Sequence, residues 1–155
     1  MRILTVLALL IAGHATSGLL NAQKLNTGFV YAGATFGKRV DGAARFGVGL
    51  DFRLSPQVDL GGELGTIHKN DVGILASGNL TYHFNSRRDK WDPFLVAGVS
   101  GARISTVGGL YLNLGAGVNY WVGPRWALRG EFKGYPGGQD LGGFAEVRFG
   151  VTFRP

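Results

Sequence analysis

No cysteine occurs anywhere in the 155 residues of this chain. That absence excludes a disulfide-stapled scaffold, a thiolate zinc centre, a cysteine nucleophile and a lipidated cysteine anchor. It also suits an oxidising compartment, where a stray thiol is a hazard. Charge is scarce too: Asp, Glu, Lys and Arg make up 17% of the chain, against about 25% in soluble domains. The balance is basic, +6, but the cations are scattered and cluster only at Arg87, Arg88 and Lys90. Without a basic helix or an aromatic-interleaved basic motif, nucleic acid is not an expected partner. A basic surface facing anionic lipid is the better use of that charge. No phosphate-cradling loop is legible, because the glycines sit in strands and turns with no helix after them. No cofactor or metal is expected. Helical periodicity is missing from Leu25 onward, and no apolar run approaches the roughly 20 residues of a membrane-spanning helix.

Glycine, in contrast, is abundant, with 27 residues. The first stretch, MRILTVLALLIAGHATSGLLNAQ, has one early cation, an apolar run from Ile3 to Ala12 and then small and polar residues. That is the order of a secretory signal peptide. The expected division is a signal segment over 1–22 and one domain over 23–155, with cleavage after Ser17 as the alternative; His14 leaves with the signal.

The remainder divides at turn signals into eight extended segments, near 25–37, 43–54, 57–67, 72–84, 93–104, 109–121, 125–134 and 143–154. Most alternate in character. Phe46, Val48, Leu50 and Phe52 interleave with Arg45, Gly47, Gly49 and Asp51. Leu110, Leu112 and Leu114 interleave with Tyr111, Asn113 and Gly115, and the last two segments behave alike. Strict alternation marks a strand with one apolar and one polar face. The first and fifth segments stay ambiguous, since both parities are apolar or small.

The polar parity decides which face is wet. It mixes ions with glycine (Gly47, Gly49, Gly61, Gly65, Gly115, Gly117, Gly150). Glycine only weakens a solvated strand, but the interior of an eight-stranded barrel is so narrow that small residues must make room for large ones. The fold class expected is therefore all-β, an eight-stranded antiparallel up-and-down transmembrane barrel with leucines facing lipid. With the mature N-terminus in the periplasm, Phe52, Tyr82, Phe84, Trp91, Phe94, Tyr120, Trp121, Trp126 and Phe153 gather at the periplasmic end. Phe36, Phe46, Phe132, Tyr135 and Phe144 gather at the other. Two aromatic belts around an aliphatic band match the two interfaces of a bilayer.

A weak repeat relates GLDFRLSPQVDLGGELG (49–65) to GVNYWVGPRWALRGEFKG (117–134), each a strand, a proline turn and a strand with an acidic residue, Glu63 or Glu131. At RWALRGEFKG, KWDPFLVAGVSGA and the terminal FGVTF the chain resembles the small outer-membrane barrels, the outer membrane protein A transmembrane domain and the opacity-type adhesins. Members of that group commonly close on the last aromatic, whereas here Arg154 and Pro155 follow Phe153. The resemblance implies a cell outer-membrane location and lipids of that membrane as neighbours. It also implies handling by periplasmic chaperones and the barrel-assembly machinery during biogenesis.

The inward parity carries a charge network as the candidate site: Arg45, Asp51, Arg53, Asp59, Glu63, Arg129, Glu131, Lys133, Glu146 and Arg148. Buried charges must be paired, so these side chains form either a salt-bridge plug or the wall of a narrow ion or water path. His83 and Ser86 suggest the lipid A deacylase barrels that share this scaffold, but the His-x-Ser-Asn arrangement of those enzymes is lacking and no orienting acid is apparent. His68, Lys69 and Asp71 read as a solvated loop. Outer loops near 37–42, 67–72, 103–109 and 135–143 are short, and Lys38, Arg39, Lys69, Arg103 and Lys133 lie near the outer rim, where lipopolysaccharide phosphates would meet them. The functional expectation is a non-catalytic integral outer-membrane protein with a structural or surface role and a charge-plugged interior. A narrow channel, a lipid A-modifying barrel enzyme and a soluble lipocalin-like binder are the alternatives.

Overall fold

The computed structural model describes residues 27–38, 40–85, 89–104, 106–137 and 142–155. The segment expected to be a signal peptide, Arg39 and Ser86 lie outside them. Eight strands follow in order: β1 (Thr27–Phe36), β2 (Ala44–Arg53), β3 (Val58–His68), β4 (Val72–His83), β5 (Trp91–Ile104), β6 (Val107–Trp121), β7 (Trp126–Tyr135) and β8 (Phe144–Phe153). Each pairs antiparallel with the next, and β1 pairs with β8 to close the barrel.

Two ends are distinguishable. One carries the start of β1, the exit of β8 and the β2–β3, β4–β5 and β6–β7 turns; it is called the terminal end here, and the opposite one the loop end. The two proline turns lie at the terminal end. In the first, the amide of Leu54 donates to the carbonyl of Val58 at 2.9 Å, and the Ser55 hydroxyl accepts from the Val58 amide at 3.1 Å. In the second, the amide of Val122 donates to the carbonyl of Trp126 at 3.0 Å. Pro56 and Pro124 sit where no ladder donor is required. The loop expected near 103–109 is shorter than that, because β5 continues to Ile104 and β6 begins at Val107. Their hairpin rises past its neighbour: β6 pairs with β5 from Val107, but with β7 only from Leu114.

Alternation resolves the faces. Leu114 is 58% exposed and its neighbour Asn113 is 0% exposed. Val48, Leu64, Ile74, Leu80, Leu112 and Leu128 stand outward like Leu114, while Arg45, Lys133 and Glu146 are fully enclosed. An apolar outside around a charged inside is the reverse of a soluble barrel, and only a hydrocarbon surround makes it favourable.

The ambiguous strands point Phe29, Tyr31, Phe94 and Val96 inward. Glycine accounts for the fit. Phe29 pairs across with Gly49, Tyr31 with Gly47 and Phe94 with Gly117, and a Cβ at any of the three would strike the facing ring. The belts change accordingly. Phe94, Trp121, Tyr135 and Phe144 are lumen residues, since each falls on the inward parity of its strand. Phe52, Tyr82, Phe84, Trp91, Trp126 and Phe153 remain as the exposed ring at the terminal end, and Phe36, Phe46 and Phe132 at the loop end.

Candidate functional site: the barrel lumen

The lumen is layered. At the loop end it is capped by hydrocarbon: Val40, Ala43, Ile67, Leu75, Ala102, Tyr111, Tyr135 and Phe144 form one buried cluster. The β1–β2 connection supplies Val40 and Ala43 by folding inward. Gly42 permits the turn with φ +69°, and the Thr35 hydroxyl donates within it to the carbonyl of Val40. The Thr35 amide donates to the carbonyl of Ala43 at 3.0 Å. Tyr135 and Phe144 stack with ring centroids 4.3 Å apart.

Beneath this lid lies the charged layer, and Arg148 is its hub. Its guanidinium reaches Glu131 at 2.7 Å, Glu63 at 2.9 Å and Glu146 at 3.3 Å. Arg45 donates to Glu146 at 2.8 Å and to the Tyr31 hydroxyl at 3.0 Å. The Tyr135 hydroxyl donates to the other oxygen of Glu146 at 2.8 Å. Lys133 donates to Glu63 at 3.1 Å, and Arg129 to Glu131 at 3.0 Å. Arg129 also faces Asp51 at 3.8 Å and lies between the Phe29 and Phe94 rings, 4.4 and 4.3 Å from their centroids. Four cations thus face Glu63, Glu131, Glu146 and Asp51. Enclosed charges persist only when paired and hydrogen-bonded, and each of these carboxylates has a cation beside it.

A third layer occupies the terminal end. Here His83 stands between two carboxylates, with Nδ1 2.8 Å from Asp92 and Nε2 3.3 Å from Asp59. The Asn119 amide donates to Asp92 at 3.1 Å. Arg53 approaches Asp59 only at 4.0 Å. Of the ten charged residues singled out in the sequence, Arg45, Asp51, Glu63, Arg129, Glu131, Lys133, Glu146 and Arg148 share one network. Arg53 and Asp59 belong to the other layer.

Two corrections concern Lys133 and His83. Lys133 is not at the rim; it is fully enclosed between Glu63 and Glu131. His83 does have an acidic partner, Asp92, which arrives from the next strand and is invisible to local sequence inspection. Tyr31, Tyr135 and Asn79, whose amide donates to Glu63 at 3.3 Å, were missed as partners of the charged layer. Signals were available in Gly47 opposite Tyr31, in the inward parity Tyr135 shares with Lys133 and Glu131, and in the polar parity of β4. Among the described residues no group of His, Asp and Glu could hold a metal.

No family model and no curated protein matches this chain. Solved structures do. The N-terminal β-barrel domain of Pseudomonas aeruginosa OprF is 22% identical, with 85% of this chain and 98% of that one covered and a TM-score of 0.72. Neisserial surface protein A is 14% identical, over 84% and 97% of the two chains, with a TM-score of 0.65. The outer-membrane enzyme PagL is 15% identical, over 82% and 98%, with a TM-score of 0.55. The chain has the fold of these small outer-membrane barrels.

Proposed function

We propose that this protein is a non-catalytic integral component of the cell outer membrane, with its terminal end in the periplasm and a plugged lumen. The observation that carries this reading is the conjunction of an outward aliphatic band with an enclosed, mutually paired charge layer. The first seats the barrel in lipid; the second fills the space through which ions would pass. The hydrocarbon lid supports the same reading, because a dry constriction opposes the entry of water and ions.

Catalysis is disfavoured by the geometry of His83. A general base needs a free ring nitrogen facing a nucleophile, and both nitrogens of His83 face carboxylates. The protein's role is then structural or exerted at the envelope surface. Lys38, Lys69 and Arg103 stand exposed around the loop end, where phosphates of lipopolysaccharide would lie, and we assign that lipid as the surface partner. Biogenesis would proceed through periplasmic chaperones and the assembly machinery.

Membrane fractionation followed by gel mobility before and after boiling tests the location and the barrel together. A soluble, heat-indifferent protein would overturn both. Planar-bilayer recording tests the plug: the expected trace is silent, and regular unitary conductance would favour the narrow-channel reading. Binding of refolded protein to lipopolysaccharide should weaken as salt rises, and an association indifferent to salt would remove the rim cations from the account.

A further inference from the structure

Each deep lumen cation has a close ion pair, although Nη1 of Arg45 and Nε of Arg148 make no hydrogen bond. Arg45, Arg129, Lys133 and Arg148 each meet a carboxylate at 3.1 Å or closer. The two arginines at the terminal mouth do not. Arg53 has Asp59 only at 4.0 Å, and Asp59 and Asp92 both face His83. Arg154, the residue that follows the closing aromatic, forms no ion pair among the described residues. Its backbone is pinned, its amide donating to the carbonyl of Arg125 at 2.8 Å. Its guanidinium lies 4.1 Å from the centroid of the Trp121 ring, which faces the lumen.

Five donors in this layer lack an acceptor and are shielded from solvent: Nε and Nη2 of Arg53, Nε and Nη2 of Arg154, and Nε1 of Trp121. The two guanidiniums feel each other. Burial, and then the like charge of Arg53, lower the pKa of Arg154 from its ordinary value, with Asp92 opposing. Arginine stays protonated under such shifts, so the mouth holds two fixed cations, each with its Nε and Nη2 donors unpartnered, in the same layer as Asp59 and Asp92. Buried polar groups without partners are costly and uncommon. Stacking on an indole face leaves the edge of a guanidinium available, and that edge matches a phosphate or carboxylate in a two-pronged fashion.

We propose that Arg53, Arg154 and Trp121 form an oxyanion-binding site at the periplasmic mouth, receiving a phosphate or carboxylate group. The site does not depend on whether the deeper charge layer is a plug. Its ligand is recognised by its several acceptor oxygens, which is what five unpartnered donors demand; a cation or a neutral amide would not supply them.

The test uses the three tryptophans. Trp91 and Trp126 are on the lipid face and serve as internal references for the indole N–H resonance of Trp121, assigned with Trp121→Phe. Refolded protein in a non-ionic detergent is titrated with inorganic phosphate, and separately with acetate, at constant ionic strength. A saturable shift of the Trp121 signal alone is expected, weakened at least ten-fold in Arg154→Lys and abolished in the Arg53→Gln, Arg154→Gln double variant. A second arm compares vesicles of phosphatidylcholine alone with vesicles containing phosphatidylglycerol. Saturation by the anionic lipid without added phosphate would make the ligand a lipid headgroup; response only to free anion would make it a periplasmic solute. A Trp121 resonance that stays still in every arm, or that moves equally in the double variant, overturns the proposal even if the barrel inserts and resists boiling as expected.

Discussion

Arg148 touches three carboxylates at once, so the charge layer is not a set of separable pairs. Deleting one anion leaves the shared cation short of a partner in a dry interior. Glu131→Gln keeps the volume and removes only the charge, and a truly enclosed loss of this kind costs about 3–5 kcal/mol. Urea titration in lipid vesicles, followed by gel mobility, should show the lower midpoint with strand content unchanged. Arg154→Gln should behave in the opposite sense. Among the described residues it has no ion pair to lose, so its midpoint is expected to equal or exceed that of the parent protein in the same titration. The inward or outward parity of the charged residues was legible in the sequence, because alternation is a local property. Which carboxylate meets which cation was not, since Glu63 and Arg148 are brought together only by closure of β1 on β8.

At the scale of strands, the register turns glycine into a complement of aromatic rings. Gly49 faces Phe29, whose other side is held by the Arg129 guanidinium 4.4 Å away. The ring therefore has little freedom to retreat. Gly49→Ala should destabilise by about 1–3 kcal/mol through overpacking, and Phe29→Leu in the same chain should recover most of the loss, measured by the same urea midpoint. A valley of this kind explains why β1 and β5 resisted reading. Their two parities are both apolar or small, and only the partner strand, unknown from one segment, tells which aromatic has room. The wall itself yields a second contrast. Leu114 lies near the middle of β6 and faces lipid, so Leu114→Arg should cost about 2–4 kcal/mol of folding into bilayers. Asn113→Arg would crowd the lumen instead. Reduced insertion into vesicles identifies the first, and a membrane-inserted barrel of lowered urea midpoint identifies the second.

Taken whole, the proposed plug has two layers, charge below and hydrocarbon above. The lid was not foreseen, although its strand members lie on inward parities near the loops; Tyr135 and Phe144 fit a belt equally well, because aromatic character near a strand end suits either role. Two barriers in series mean that breaching one leaves the other. Glu131→Gln alone should remain electrically silent in planar bilayers, as should Tyr135→Ala alone. Combining them should produce measurable current, and conduction by either single variant would show that the remaining layer is not a barrier.

The high β5–β6 hairpin gives the barrel a rim of unequal height. Leu110 and Leu112 stand outward on the portion of β6 above its pairing with β7, 78% and 64% exposed. Hydrocarbon must reach further up that side than around the rest of the circumference. A membrane answers such a mismatch by thickening locally or by letting the body lean. The expectation is a seat with a compass bearing: one azimuth, marked by two leucines, along which either the lipid thickens or the body leans.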